Sequence, residues 1–155
     1  MTKRIDVAVE IAADPGRVFS LIADLPRMGQ WSPECDAVTW AKGATGPTVG
    51  ARFTGTNHHG SKSWSTAGRV TECREPSRFA FLITASGLRV AEWCYVVEPT
   101  PQGCRVTESW IDKRGALVRA MGKPLTGVGD RASHNRATML ATLEALRAAA
   151  EAPAV

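Results

Sequence analysis

Hydrophobic and polar positions alternate strictly at the start of the chain. Ile5, Val7, Val9 and Ile11 face one way and Asp6 and Glu10 the other, the pattern of a half-buried strand. The period then changes. Asp14 suits a helix N-cap and Pro15 the first helical position, and Val18, Phe19, Leu21, Ile22 and Leu25 form an apolar stripe that Pro26 is expected to stop. From about residue 35 to residue 112 the period returns to two, broken by "AKGATGPTVG", "NHHGSK", "REPS", "ASGL" and "TPQG". This predicts six antiparallel strands in meander order. The longest helical pattern runs from about residue 127 to 151, "GVGDRASHNRATMLATLEALRAAAE", with a stripe at Ala132, Asn135, Met139, Leu143 and Leu146. The closing "APAV" is expected to be a frayed tail.

Turn lengths extend this reading to strand register, where a slip of one residue exchanges the two faces. A three-residue "ASGL" loop pairs Phe81 with Trp93 and Phe79 with Tyr95. Centring the last turn on Thr100-Pro101 sets Tyr95 opposite Val106 and Trp93 opposite Glu108. "REPS" places Val70 opposite Phe81, and "HHGS" brings Asn57 near Trp64. One face then collects Phe53, Gly55, Asn57, Trp64, Thr66, Gly68, Phe81, Ile83, Ala91, Trp93, Tyr95, Glu108 and Trp110. That inward face mixes bulky aromatics with very small residues and includes two polar groups. A long helix laid over such a surface, with Asn135 in its own stripe, predicts an internal pocket lined by aromatics and a few fixed polar groups.

Composition narrows the function class. At 155 residues the chain has the length of one domain, and its 44% hydrophobic and 22% charged content is ordinary for a globular protein. The polar, alternating start does not resemble a signal peptide, and no apolar run reaches the ~18 residues of a membrane span. A cytoplasmic protein is the default expectation. Cys35, Cys73, Cys94 and Cys104 lack metal-site spacing and are expected to be free thiols, with no metal or cofactor. The net charge of +4 is carried wholly by the last quarter: residues 1–112 hold 12 Lys and Arg against 12 Asp and Glu, and residues 113–155 hold 7 against 3. These cations are dispersed and lack interleaved aromatics, so a solvated helix face is expected and no nucleic-acid partner.

The element order, the stretch "DPGRVFSLIADLPRMGQWSPEC" and the segments "VGARFTGTN" and "GCRVTESW" carry a resemblance. Over roughly residues 3–150 the chain resembles the START/Bet v 1-like (SRPBCC) superfamily, specifically its small bacterial polyketide cyclase/dehydrase-like branch. The resemblance implies an α+β helix-grip fold. A seven-stranded curved antiparallel sheet would wrap a long C-terminal helix, with two short helices between the first two strands. It implies a cavity between sheet and helix, with "KRGALVRAMGKPLTG" (residues 113–127) beside its mouth. There Leu117, Val118, Met121 and Leu125 suit either a mobile apolar lid or a short capping helix. The superfamily shares no catalytic motif, so no catalytic residue is carried over.

The candidate ligand-binding residues are Trp31, Phe53, Asn57, Trp64, Phe81, Trp93, Tyr95, Glu108, Trp110, Asn135 and Met139. Glu108 is also the one weak catalytic candidate, because an inward carboxyl beside aromatics has its pKa raised by desolvation. Ser32-Pro33 fits a helix N-cap followed by proline, with Glu34 in the first turn and no base placed to activate the serine. His58 and His59 are expected to be inert in a hairpin turn, and His134 to be exposed opposite the apolar stripe. Two function classes follow. One is a carrier or sensor of a hydrophobic, lipid-like or aromatic molecule, as monomer or homodimer. The other is a polyketide cyclase/aromatase in which Glu108, Tyr95 and Asn135 steer proton transfers.

Overall fold

The computed structural model describes residues 3–153. Strand β1 (Arg4–Ile11) leads through helix α1 (Pro15–Ala23) and a 3-10 helix (Leu25–Gln30) into six further strands. These are β2 (Cys35–Ala41), β3 (Arg52–His59), β4 (Lys62–Arg74), β5 (Arg78–Ala85), β6 (Leu88–Thr100) and β7 (Gly103–Asp112). Helices α2 (Ala116–Thr126) and α3 (Arg131–Glu151) close the chain. All seven strands form one antiparallel sheet in the order β1-β7-β6-β5-β4-β3-β2. This is the helix-grip arrangement. The stretch "APAV" lies partly outside the described residues, since α3 ends at Glu151 and the description at Pro153.

Local chemistry accounts for the element ends. The Asp14 carboxylate accepts from the Gly16 and Arg17 amides and Pro15 opens α1, as the sequence predicts. Pro26 does not stop that helix: α1 ends at Ala23, and Pro26 lies in the first turn of the 3-10 helix. Its ring is tolerated in a first turn because the missing N–H there has no partner in any case. The expected helix start at Ser32-Pro33 is absent, and the chain bends through Pro33 and Glu34 into β2. Helix α3 begins at Arg131, later than the periodicity suggests. Gly127 in the left-handed conformation ends α2, and Asp130 caps α3 through the Ser133 amide.

Register follows turn chemistry. Val70 faces Phe81, Asn57 faces Trp64, Phe79 faces Tyr95 and Phe81 faces Trp93, all as expected. The β5–β6 hairpin reaches that pairing differently. It turns on two residues, Ser86 and Gly87, both with positive φ, and a bulge between Ile83 and Thr84 supplies the extra residue. The last hairpin turns on Pro101-Gln102, so Tyr95 pairs with Glu108 and Trp93 with Trp110. The expected pairs were two residues out of register. A slip of two preserves the face, which is why the inward set survives.

The core lies between the inner sheet face, α1 and α3, with Val18, Phe19, Ile22, Phe79, Val106, Leu143 and Leu146 all buried. Gly68 is required by close approach: a Cβ there would stand 2.2 Å from Cζ of Phe53, whose ring lies across the glycine. Small residues thus let the aromatic layer settle onto a bent sheet. Bulges at Cys35/Ala37 and Val70/Glu72 add to the bending.

Candidate functional site

A cavity of about 560 Å³ opens between the inner sheet face, α3 and α2. Its sheet wall carries Phe53, Trp64, Phe81, Trp93, Tyr95 and Trp110, interspersed with Gly55, Thr66 and Ala91. The rings hold one another: Phe53 meets Phe81 edge-on at 5.5 Å between centroids and Trp40 at 6.2 Å. Such geometry matches the quadrupoles of neighbouring rings and fixes the wall without polar contacts. Helix α3 adds Asn135, Thr138, Met139 and Thr142, and the 3-10 helix adds Leu25 and Met28.

The cover is α2. No residue of this helix is buried. Leu117, Val118, Met121 and Leu125 border the cavity, yet Leu117 remains 69% exposed and Leu125 56%. Helix α2 is bounded by Gly115 and Gly127.

Two polar groupings interrupt the apolar lining. The first is fully buried. The Tyr95 hydroxyl donates to Oε1 of Glu108 at 2.8 Å, and Oε2 of Glu108 has no hydrogen-bond partner among the described residues. Both residues border the cavity, and Glu108 is 2% exposed. Burial pushes the Glu108 carboxyl up to about 8, opposed only by the Tyr95 hydrogen bond, so at neutral pH it is mostly the uncharged acid. Burial and the neighbouring carboxyl likewise raise Tyr95 well above the ordinary phenol range.

The second grouping lies at the partly exposed rim. Glu34 accepts from Nη1 of Arg131 at 2.8 and 3.1 Å and lies 2.7 Å from Nε2 of His134. Arg131 also reaches Oδ1 of Asn135 at 3.4 Å and lies over the Trp64 ring at 5.7 Å. His134 meets His59 edge-on at 4.7 Å. Nearby, the Asn57 amide donates to Thr66 at 3.3 Å. Arg114, which also borders the cavity, is held by three hydrogen bonds to Asp112, two from its guanidinium and one from its amide. Burial works to raise the Asp112 carboxyl, but those bonds outweigh it and hold it below its usual range.

The sequence candidates therefore separate. Phe53, Asn57, Trp64, Phe81, Trp93, Tyr95, Glu108, Trp110, Asn135 and Met139 all border the cavity. Trp31 does not. It ends the 3-10 helix and is buried in the core under the Arg27 guanidinium, 5.1 Å from its ring, so it offers a ligand no face. Two further expectations fail. His134 is not opposite the buried stripe but packed into the rim, because Glu34 and His59 cover a second side of α3 near its start. Glu34 is not in a helix; it is the anion that links the approach to β2 with α3. The signal in the sequence was the Arg131–His134 spacing of three beside inward Asn135, which places the two cationic-type side chains on one helix face.

Among the described residues no cluster of three or more His, Cys, Asp or Glu is arranged to hold a metal ion, and no helix is long and apolar enough to cross a membrane. The four cysteines are unpaired. Cys35 borders the cavity as a protonated thiol, pushed up to about 11 by burial and then by Asp36 and Glu34.

A family model described as "Polyketide cyclase / dehydrase and lipid transport" matches residues 2–151. The chain belongs to this family. It is 28% identical to the Polyketide_cyc-like protein Cgl2372 of Corynebacterium glutamicum, whose solution structure aligns with a TM-score of 0.58 over 97% of this chain and 91% of that one. The di-domain ARO/CYC StfQ of the steffimycin biosynthetic pathway aligns with a TM-score of 0.75 at 12% identity, covering 97% of this chain and 51% of that chain. The ginseng major latex-like protein 151 of Panax ginseng aligns with a TM-score of 0.74 at 11% identity, covering 97% and 99%. These last two share the fold. No curated protein matches the chain. Family membership accords with the seven-stranded START/Bet v 1-like architecture and associates the cavity in general terms with hydrophobic ligands or cyclase chemistry.

Proposed function

We propose that this protein is a carrier or sensor that binds a hydrophobic small molecule, lipid-like or aromatic and polyketide-like, in the cavity between sheet and α3. The observation that carries this reading is a 560 Å³ space with six aromatic side chains on its sheet wall. That volume lies within the range of small-molecule sites, and its few polar groups can orient a ligand that the rings desolvate. Helix α2 serves as the lid, moving on Gly115 and Gly127 to admit the ligand. The chain works as one domain in the cytoplasm, alone or as a homodimer.

A screen of lipids, flavonoids and polyketides followed by tryptophan fluorescence tests this. Trp93→Ala and Trp64→Ala should each weaken binding of any hit about fivefold, since stacking on a half-buried aromatic ring contributes about 1 kcal/mol. If no compound of the three classes perturbs the fluorescence, the carrier reading loses its support.

The second reading is a cyclase/aromatase acting in the same space, and Glu108 favours it. A buried carboxylic acid that titrates near 8 is matched to proton transfer near neutral pH. Tyr95 and Asn135 would then orient the substrate. Glu108→Gln distinguishes the two: an enzyme loses turnover with affinity kept, whereas a carrier has no turnover to lose.

A further inference from the structure

The buried pair Tyr95–Glu108 is an incomplete hydrogen-bond network. Its two members face each other across β6 and β7, with Trp93 and Trp110 facing each other at the next inward position along the same strands. Tyr95 satisfies Oε1 of Glu108 by donating to it, which leaves Oε2. A polar atom buried without a partner is costly, and in native structures such an atom has an explanation. Oε2 itself has almost no accessible surface, but its residue borders the cavity, so a partner would reach it by a small displacement of the lining side chains.

We propose that the Glu108 carboxyl donates a hydrogen bond from Oε2 to an uncharged carbonyl of the bound molecule, with Tyr95 fixing the carboxyl's orientation. This rests on the cavity being a ligand site and adds what that site selects: an apolar molecule whose keto or ester oxygen reaches the buried end. The surroundings keep Glu108 neutral. Its in-register neighbours are Val7 on β1 and Tyr95 on β6. The charged groups elsewhere along the cavity are already matched, Arg131 to Glu34 and Arg114 to Asp112. Across from it, α3 presents Asn135, Met139 and Thr142, and the remaining titratable side chain, Cys35, is a protonated thiol. Among the described residues no cation is placed to favour the carboxylate. Raising the pH through the Glu108 titration removes the donor and sets a negative charge against the carbonyl oxygen. Affinity for a carbonyl ligand should fall as the pH rises, while affinity for the bare hydrocarbon should change little.

Calorimetric titration with two matched pairs tests this: fluorenone against fluorene, and methyl laurate against dodecane. At about pH 6 the carbonyl member of a pair that binds should bind about tenfold tighter, the scale of one buried hydrogen bond, and at about pH 9.5 the preference should vanish. Glu108→Gln keeps a neutral donor at every pH, so it should retain the preference at both values. Glu108→Leu should abolish the preference and leave hydrocarbon affinity within about threefold, a readout that also shows the variant to be folded. Equal binding of carbonyl and hydrocarbon to the native protein at pH 6, or a preference that persists unchanged in Glu108→Leu, overturns the assignment and leaves the ligand cavity standing. If neither member of either pair binds, the cavity reading itself fails and takes this assignment with it.

Discussion

The two polar groupings along the cavity solve the burial of a carboxylate in opposite ways. At the rim, Glu34 is paired, with a guanidinium on one side and an imidazole on the other. At the buried end, Glu108 has only a phenol for company and is uncharged at neutral pH. The difference lies in what surrounds each group. Glu34 sits where α3 begins and can draw on Arg131 and His134, while Glu108 stands on β7, one strand in from the sheet edge, where β1 and β6 supply Val7 and Tyr95 as neighbours. A paired charge holds the structure together and offers little to a ligand. A neutral acid with an unpartnered oxygen leaves one hydrogen-bonding position unused.

The largest expected contrast is in the pH dependence of stability. A carboxyl whose folded value lies near 8 against an unfolded value near 4.5 stabilises the fold fully only below about 4.5. That contribution is lost as the pH rises towards and through 8. Between pH 6 and pH 8 the unfolding free energy should fall by about 2 kcal/mol on this account, at most about 1.4 kcal/mol per pH unit. Urea titrations of Glu108→Gln should remove that slope and leave the variant the more stable protein at pH 9. A native protein with flat stability over this range would mean that Glu108 is not neutral, and the contrast with Glu34 would collapse.

Next in size is the rim itself. Arg131→Ala strands Glu34 with His134 alone and should cost about 1–2 kcal/mol, less than a fully buried pair because both side chains keep some solvent. Glu34→Ala combined with Arg131→Ala should cost less than the sum of the two single changes. Additive losses would show that the ion pair does not couple β2 to α3.

A change in the wall between the two groupings should be comparable or smaller. Gly68→Ala forces the Phe53 ring to move and should destabilise by about 1 kcal/mol, while narrowing the cavity enough to weaken a bulky aromatic ligand. Unchanged affinity would place Phe53 outside the ligand's reach. The smallest expected effect is that of salt. Raising NaCl to about 0.5 M should shift the cost of Arg131→Ala by no more than about 0.5 kcal/mol and leave that of Glu108→Leu untouched. A salt effect on Glu108→Leu would reveal an ionised carboxyl.

Reading the cavity from the chain succeeded on the strands because each residue of a strand has one of two sides. The alternation of Phe79, Phe81 and Ile83, or of Trp93 and Tyr95, settles that choice locally, and the two-residue error in the β6–β7 register left every side chain on its proper face. Helices and connecting segments have no such binary choice. His134 differs from inward Asn135 by one position, and only the arrival of Glu34 and His59 determines that it is covered rather than free. Trp31 and Met28 sit in one short segment, yet Met28 borders the cavity and Trp31 is sealed beneath Arg27.

The amino-acid pattern by itself determined the order of strands and long helices, the aromatic inner face and the inward position of Glu108. Each follows from local periodicity and turn residues, which act over a few positions. Tertiary structure alone decided that Glu34 meets Arg131 and His134 about a hundred residues further along, that Trp31 belongs to the core, and that Glu108 finds Tyr95 but no cation. Those outcomes depend on how non-local surfaces share space and solvent, a quantity that no short stretch of chain encodes.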